Sequence, residues 1–420
     1  MLQERQADRL PSVAAAVVRK GEVVWANAVG AASYESDRAA TPETQYRIGS
    51  ITKTFTATAI MQLRDAGELD LDDRLEQHFE GTAQGTPMIR RMLAHLSGLQ
   101  REAGEMWVTG ESPSIDDLMQ DFELVLAPGV SHHYSNLAYA LLGEVVARRT
   151  GMPYTAYVDE RIIRPLGLER TTWARREPVA QGYLVDEYAG TVWREEQSDM
   201  RGTAAAGALW STVEDLCRWM AFLAEGRDDV LAPSTVEEMW FPQAMDDPDD
   251  WSLGRGLGLM LFNVDRRIWG GHGGAMAGFL AGAYINRKTG TGAAVLVNSG
   301  TRGDVDMTTI RLAAKALELW PPEIESWRPE PEPPADVRAL LGRWWSEGSD
   351  FVFTWEHGAM TARAADVPKA RPPAVFERIG EGEWRVVSGR ERGERLRVDG
   401  DRLIWAGYAF TRAQEPFTRE

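Results

Sequence analysis

The sequence predicts an α+β protein: an antiparallel sheet flanked by helices, interrupted by a long helical insertion and followed by a small all-β domain. Three observations carry this. Apolar runs of strand length occur near the N-terminus and again between 257 and 298. Helical periodicity fills the region from 50 to 240 between them. A Pro/Glu-rich stretch then precedes a segment in which polar and apolar residues alternate.

Val13 to Val18 and Val23 to Val29 flank Lys20-Gly21 and predict a hairpin. Helical patterns follow at 51–66, 136–149, 155–163 and 212–224, the last opening on Ser211-Thr212-Val213-Glu214, a capping-box spacing. Strands are predicted at 257–263, 266–270, 279–286 and 292–298, and a helix at 303–319. Residues 1–320 are thus expected to form one mixed domain. Six prolines in 321–335 predict a stiff linker. Beyond it, 336–420 has runs such as Phe351-Val352-Phe353-Thr354-Trp355 and turns such as Asp399-Gly400, as in a small lipocalin-like barrel.

With 420 residues, 44% of them hydrophobic, the chain can fill a sizeable core. The net charge of −17 argues against nucleic acid and anionic membrane surfaces as partners. A single cysteine, Cys217, rules out an intrachain disulfide and reads as a buried apolar residue. Met1 to Leu10 is charged and lacks the apolar core of a signal peptide, and no run of eighteen apolar residues predicts a span. The expectation is a cytoplasmic protein. The six histidines show no metal-ligand spacing, so neither a metal nor a cofactor is expected.

Chemistry begins at Ser50-Ile51-Thr52-Lys53, which opens the first long helix. A serine and a lysine three apart on a first turn share one face. A neutral amine there can take the hydroxyl proton, and the helix N-terminus offers N–H donors where an oxyanion would form. Tyr134-Ser135-Asn136 presents a phenol and an amide at the mouth of a second helix. A phenolate beside a lysine ammonium would act as a base, and the asparagine would hold the lysine or a substrate amide. In Gly270-Gly271-His272-Gly273-Gly274-Ala275 the glycines imply close backbone approach ahead of a strand. His272 would donate to or polarise a developing charge, and the N–H of Ala275, next to Gly274, would pair with that of Ser50 as an oxyanion hole.

Ser50-x-x-Lys53, Tyr134-x-Asn136 and His272-Gly273-Gly274, in that order, resemble the three motifs of the serine β-lactamase and penicillin-binding protein superfamily. The class C-related branch is the most similar: esterases, D-aminopeptidase-like peptidases and penicillin-binding-protein-type peptide cyclases. Ala94-His95-Leu96-Ser97-Gly98-Leu99, Pro165-Leu166-Gly167-Leu168 and Ala206-Gly207-Ala208-Leu209-Trp210-Ser211-Thr212 resemble its flanking segments. The resemblance implies a β-lactamase/transpeptidase-like fold. It implies Ser50 as acylated nucleophile, Lys53 and Tyr134 as shared base, and Asn136, Gly274 and Ala275 as substrate-contacting positions. His272 stands where many relatives carry the lysine of Lys-Thr-Gly. The literal Lys288-Thr289-Gly290 lies between two apolar strands and reads as a hairpin turn.

A neutral histidine and a glycine in place of Lys-Thr remove a charge and a hydroxyl that suit a substrate carboxylate. The leading expectation is therefore a serine hydrolase acting on a small-molecule ester, amide or peptide through an acyl-enzyme. Transfer of a peptidyl group to an amine, as by a thioesterase or peptide cyclase, and a catalytically silent binding protein are the alternatives. Oligomeric state is not legible.

Overall fold

Lys20 and Gly21 both take positive φ, 47° and 83°, which reverses the chain in two residues between strands β1 (Ser12–Arg19) and β2 (Glu22–Ser33). A computed structural model describes residues 1–79, 86–102, 113–120, 123–186, 188–197, 199–301, 303–322, 326–366 and 371–414. These fall into two compact units, Met1–Pro322 and Glu323–Glu420.

In the first unit the sheet adds β3 (Arg38–Ala39), β4 (Ala244–Met245), β5 (Leu253–Arg255), β6 (Met260–Val264), β7 (Arg267–Met276), β8 (Phe279–Asn286) and β9 (Thr291–Val297). Its order is β3-β2-β1-β9-β8-β7-β6-β5-β4, antiparallel throughout. Val13 pairs with Val297, so the first and last parts of the unit meet at its centre as expected. β1 and β9 are covered on both faces, which is why they read as unbroken runs of Val, Ala and Leu instead of alternating.

The helical insertion packs on this sheet. Helix α1 (Thr52–Asp65) buries eleven of its residues, among them Phe55, Ile60 and Leu63. It lies against α2 (Asn136–Thr150) and against α3 (Val213–Glu225), where the Phe55 and Trp219 rings stack at 3.8 Å. Trp219 also donates to Thr54 Oγ1 at 2.7 Å. Helix α4 (Val305–Leu319) packs on β8 and β9 through Ile310 and Ala313. Cys217 is fully buried, as an apolar residue would be. The cap of α3 is Thr212, one residue later than the capping-box spacing implies, and its hydroxyl accepts from Asp215 N–H at 3.3 Å. Ser211 is held in a short ladder with Tyr46 instead.

One expectation fails at the glycine run. The strand predicted to end at 270 continues through it, so β7 runs on to Met276. The glycines serve packing. A Cβ on Gly270 would sit 2.3 Å from the Trp240 ring, and one on Gly274 1.9 Å from the carbonyl of Ile48. The strand predicted at 257–263 starts later, as β6 from Met260, and the residues before it turn the chain out of β5, with Gly258 at φ 80°.

The second unit opens with α5 (Ala335–Leu340) and eight strands: β10 (Gly342–Ser346), β11 (Ser349–Glu356), β12 (Ala359–Ala364), β13 (Ala374–Gly380), β14 (Glu383–Ser388), β15 (Arg395–Asp399), β16 (Arg402–Trp405) and β17 (Tyr408–Phe410). Each pairs with the next, and Trp345 on β10 bonds Thr411 just past β17, so the sheet curls into a nearly closed barrel. Trp344, Phe353, Phe376, Trp384, Trp405 and Phe410 fill it. Residues 323–325 of the predicted linker and 367–370 and 415–420 of the predicted barrel lie outside the described residues. Among the described residues no helix is long and apolar enough to cross a membrane.

The Phe55–Trp219 stack joins the helix that carries Ser50 to the sheet-bound α3. Trp219→Ala is expected to cost about 3–5 kcal/mol through lost burial and the cavity left behind. A lowered denaturant midpoint with the barrel's own transition unchanged would show it; an unchanged first transition would refute it.

Candidate active site

The chain reaches Ser50 along a fixed track. Tyr46–Arg47 pairs with Trp210–Ser211, and Ile48 N–H donates to Leu209 carbonyl at 3.0 Å. Gly49 then turns with φ 51° into a single 3₁₀ turn, Gly49–Ile51, that leads into α1. Ser50 therefore stands at the head of the helix, and Lys53 follows one turn on.

Lys53 is fully buried. Its Nζ lies 3.0 Å from Ser50 Oγ, 2.7 Å from Asn136 Oδ1 and 2.7 Å from the Ala206 carbonyl. Asn136 Nδ2 donates to both oxygens of Glu102, at 2.8 and 3.0 Å, which fixes the amide so that Oδ1 faces the lysine. Two of the three partners of Nζ are thus pure acceptors. A neutral amine satisfies them with its two hydrogens and turns its lone pair to the serine hydroxyl. Burial favours that neutral form: it pulls Lys53 down to about 7, with Glu102 pulling upward and Arg101 downward.

Tyr134 bonds Ser50 and stacks on His95 with ring centroids 4.2 Å apart. His95 is itself held by Ser135 N–H, which donates to Nδ1 at 3.1 Å, so it is a buried positioning group and not a ligand. Lys53 Nζ sits 5.0 Å from the Tyr134 ring centroid. The phenolate expected beside a lysine ammonium is not favoured. Burial pushes the phenol up to about 12, outweighing its bond to Ser50 and the neighbouring arginines. Of the two groups, the lysine loses its proton first.

β7 forms the facing wall. A Cβ placed on Gly49 would stand 2.8 Å from Ala275 N, and one on Gly274 3.3 Å from Ser50 N. The two N–H groups named from sequence are thereby neighbours. His272 is buried, and its Nδ1 donates to the Gly273 carbonyl at 2.5 Å, leaving Nε2 as an acceptor. Burial and the positive Lys53 hold it down to about 3. The neutral imidazole is therefore favoured; it suits polarising a developing charge, while donation from Nε2 would need the other tautomer. Lys288-Thr289-Gly290 lies in the turn between β8 and β9, away from these residues in the sheet register, as expected.

Ser50, Tyr134, Asn136, His272, Gly274 and Ala275 all line one cavity of about 680 Å³. Arg101, Glu102, Arg255 and Asp306 line it too. Sequence reasoning missed these four. Glu102 follows the recognised Ala94–Leu99 segment with no motif of its own. Asp306 sits in the first turn of α4, where an acid reads as a helix-start preference. Arg255 is 6% exposed and held by Asp246 through Nε at 2.9 Å and a second bond from Nη2. Only the tertiary fold brings either arginine or acid to the serine.

A family model described as "Beta-lactamase" matches residues 1–318, and one described as "Domain of unknown function (DUF7586)" matches residues 333–412. The chain is 29% identical over 280 residues to "Beta-lactamase-like protein 2" of Dictyostelium discoideum, covering 62% of this chain and 50% of that one. It spans half the length of that curated relative. Among solved structures it is similar to an octameric penicillin-binding protein homologue from Pyrococcus abyssi, with TM-score 0.66, 25% identity and 97% of each chain covered. It is also similar to a D-stereospecific amidohydrolase from Streptomyces sp., with TM-score 0.65 and 28% identity, over 77% of this chain and 97% of that one.

Glu102 raises the Lys53 pKa and fixes Asn136, so Glu102→Gln removes both effects. Labelling of Ser50 by a fluorophosphonate should rise with pH through about 7 as the lysine loses its proton. In Glu102→Gln the midpoint should fall and the plateau drop roughly tenfold, the order of effect of losing a group that orients a site residue. An unshifted midpoint would separate Glu102 from the base.

Proposed function

Because the chain belongs to the Beta-lactamase family, we propose that it is a serine hydrolase that cleaves an ester or amide bond through an acyl-enzyme on Ser50. The observation that carries this reading is the three-way hold on Lys53 Nζ, which leaves a neutral amine one direction for its lone pair, toward Ser50 Oγ.

The steps follow from that hold. Ser50 Oγ attacks the carbonyl carbon while its proton passes to Lys53 Nζ. The oxyanion that forms is met by the N–H groups of Ser50 and Ala275. Tyr134, protonated and bonded to Ser50, carries a proton toward the leaving group, and Lys53 resupplies it. The leaving group departs, water attacks the acyl carbon while Lys53 takes its proton, and as the bond to Ser50 Oγ breaks Lys53 returns that proton to Oγ. His272 accepts a hydrogen bond from the substrate and keeps its own proton throughout.

The similarity to an amidohydrolase supports hydrolysis of amides as well as esters. A β-lactam is a poor fit, since the third motif offers neither a cation nor a hydroxyl to its carboxylate. The wild type is expected to be labelled by a fluorophosphonate and to turn over p-nitrophenyl esters, with Ser50→Ala silent in both assays. Nitrocefin turnover should be at least tenfold slower than ester turnover. Labelling that persists in Ser50→Ala would remove the nucleophile assignment, and fast nitrocefin turnover would overturn the substrate argument.

A further inference from the structure

Gly273 and Asp306 form one arrangement. A Cβ on Gly273 would stand 2.4 Å from Asp306 Oδ1 and 2.9 Å from Oδ2. The carboxylate thus occupies the space in which any side chain on residue 273 would lie. Tyr284 holds it there, its hydroxyl donating to Oδ1 at 2.9 Å. Asp306 is partly open to the cavity that contains Ser50 and His272.

The charges around the cavity pair off, with one exception. Arg101 lies 3.3 Å from Glu102, and Arg255 is bonded to Asp246 through two nitrogens. Lys53 is held near neutrality and His272 is neutral. Among the described residues no lysine or arginine stands within ion-pairing distance of Asp306. Its carboxyl is pushed up to about 6, first by burial and also by Asp304, against the pull of the Tyr284 hydroxyl and the weaker pull of Arg255, whose guanidinium is bonded to Asp246. A carboxylate in this position, with a single hydroxyl donor, gains most from a cation that enters with the ligand. His272 Nε2 is a second acceptor on the same cavity, and the stretch of β7 that lines it, His272 to Met276, carries no lysine or arginine.

The geometry points to Asp306 as a specificity-determining residue that binds a primary ammonium carried by the substrate. The inference rests on the hydrolase reading above and names its substrate class: esters or amides with a free amine on the acyl or the leaving side. Charge selection at this end of the cavity is the reverse of what a lysine-threonine third motif would impose.

Two matched pairs of esters test it on the full chain. Phenyl β-alaninate against phenyl butanoate places the cation on the acyl side, and 4-(aminomethyl)phenyl acetate against 4-ethylphenyl acetate places it on the leaving side. The cationic member of at least one pair should lead in kcat/KM by tenfold or more. Asp306→Asn should remove most of that lead. Turnover of the neutral esters with no cationic lead in either pair overturns the proposal alone, as does a lead that survives in Asp306→Asn. Turnover of none of the four overturns the hydrolase reading and this proposal with it. If Asp306→Asn does not fold, wild-type hydrolysis of phenyl butanoate decides. Benzylammonium should inhibit at least ten times more strongly than benzoate, and equal or reversed inhibition refutes the assignment.

Discussion

Everything at the site depends on burying one amine. Lys53 Nζ has no water to solvate it and three protein atoms within 3.0 Å. An ammonium in that position satisfies its donors but loses hydration; a free amine satisfies the two acceptors and gains a proton donor in Ser50. The balance falls near neutrality because Glu102 lies close enough to oppose the desolvation through Asn136. Without Glu102 the amide of Asn136 could rotate and present N–H groups to the lysine, which would leave donors facing donors. The carboxylate thus acts on the base twice, through charge and through the orientation of an intervening amide.

That buried amine constrains the rest of the fold. Its third partner, the Ala206 carbonyl, sits just before the short ladder that pairs Trp210–Ser211 with Tyr46–Arg47. The same stretch of chain therefore holds both the base and the approach to the nucleophile. From the other side β7 presses its backbone against Ile48 and Ser50, a contact that only glycine at 274 permits. Helix α1 is wedged from behind by the Phe55–Trp219 stack. A shift of α1 would carry Ser50 and Lys53 together away from the Ala275 N–H, from Asn136 Oδ1 or from the Ala206 carbonyl.

The parts of this arrangement that were legible in sequence are local. Ser50 and Lys53 are placed by one helical turn, Tyr134 and Asn136 by the start of another, and the order of the motifs supplied the resemblance. The central strands were legible because burial on both faces leaves continuous apolar runs. The course of β7 was not, because glycines that serve close packing look the same in sequence as glycines that make a turn. Glu102, Arg255 and Asp306 were not, because each acts through a partner far along the chain. Asp246 lies nine residues from Arg255 and Tyr284 twenty-two from Asp306. No periodicity records such pairings. The protonation of Tyr134 also turns on three-dimensional burial, which a motif does not encode.

The two carboxylates of the cavity divide its work. Glu102 bears on Lys53 through its charge, partly opposed by Arg101, and through the Asn136 amide that it orients. Asp306 is bound to Tyr284 and stands against Gly273, and the groups acting on Lys53 are Glu102 and Arg101. A cation arriving at Asp306 is neutralised where it binds, so the poise of the base continues to be set by burial. The glycine at 273 makes this separation possible: a threonine there would expel the carboxylate and restore a hydroxyl in its place. One missing side chain in the third motif thereby changes the charge that the cavity accepts while leaving the serine and its amine untouched.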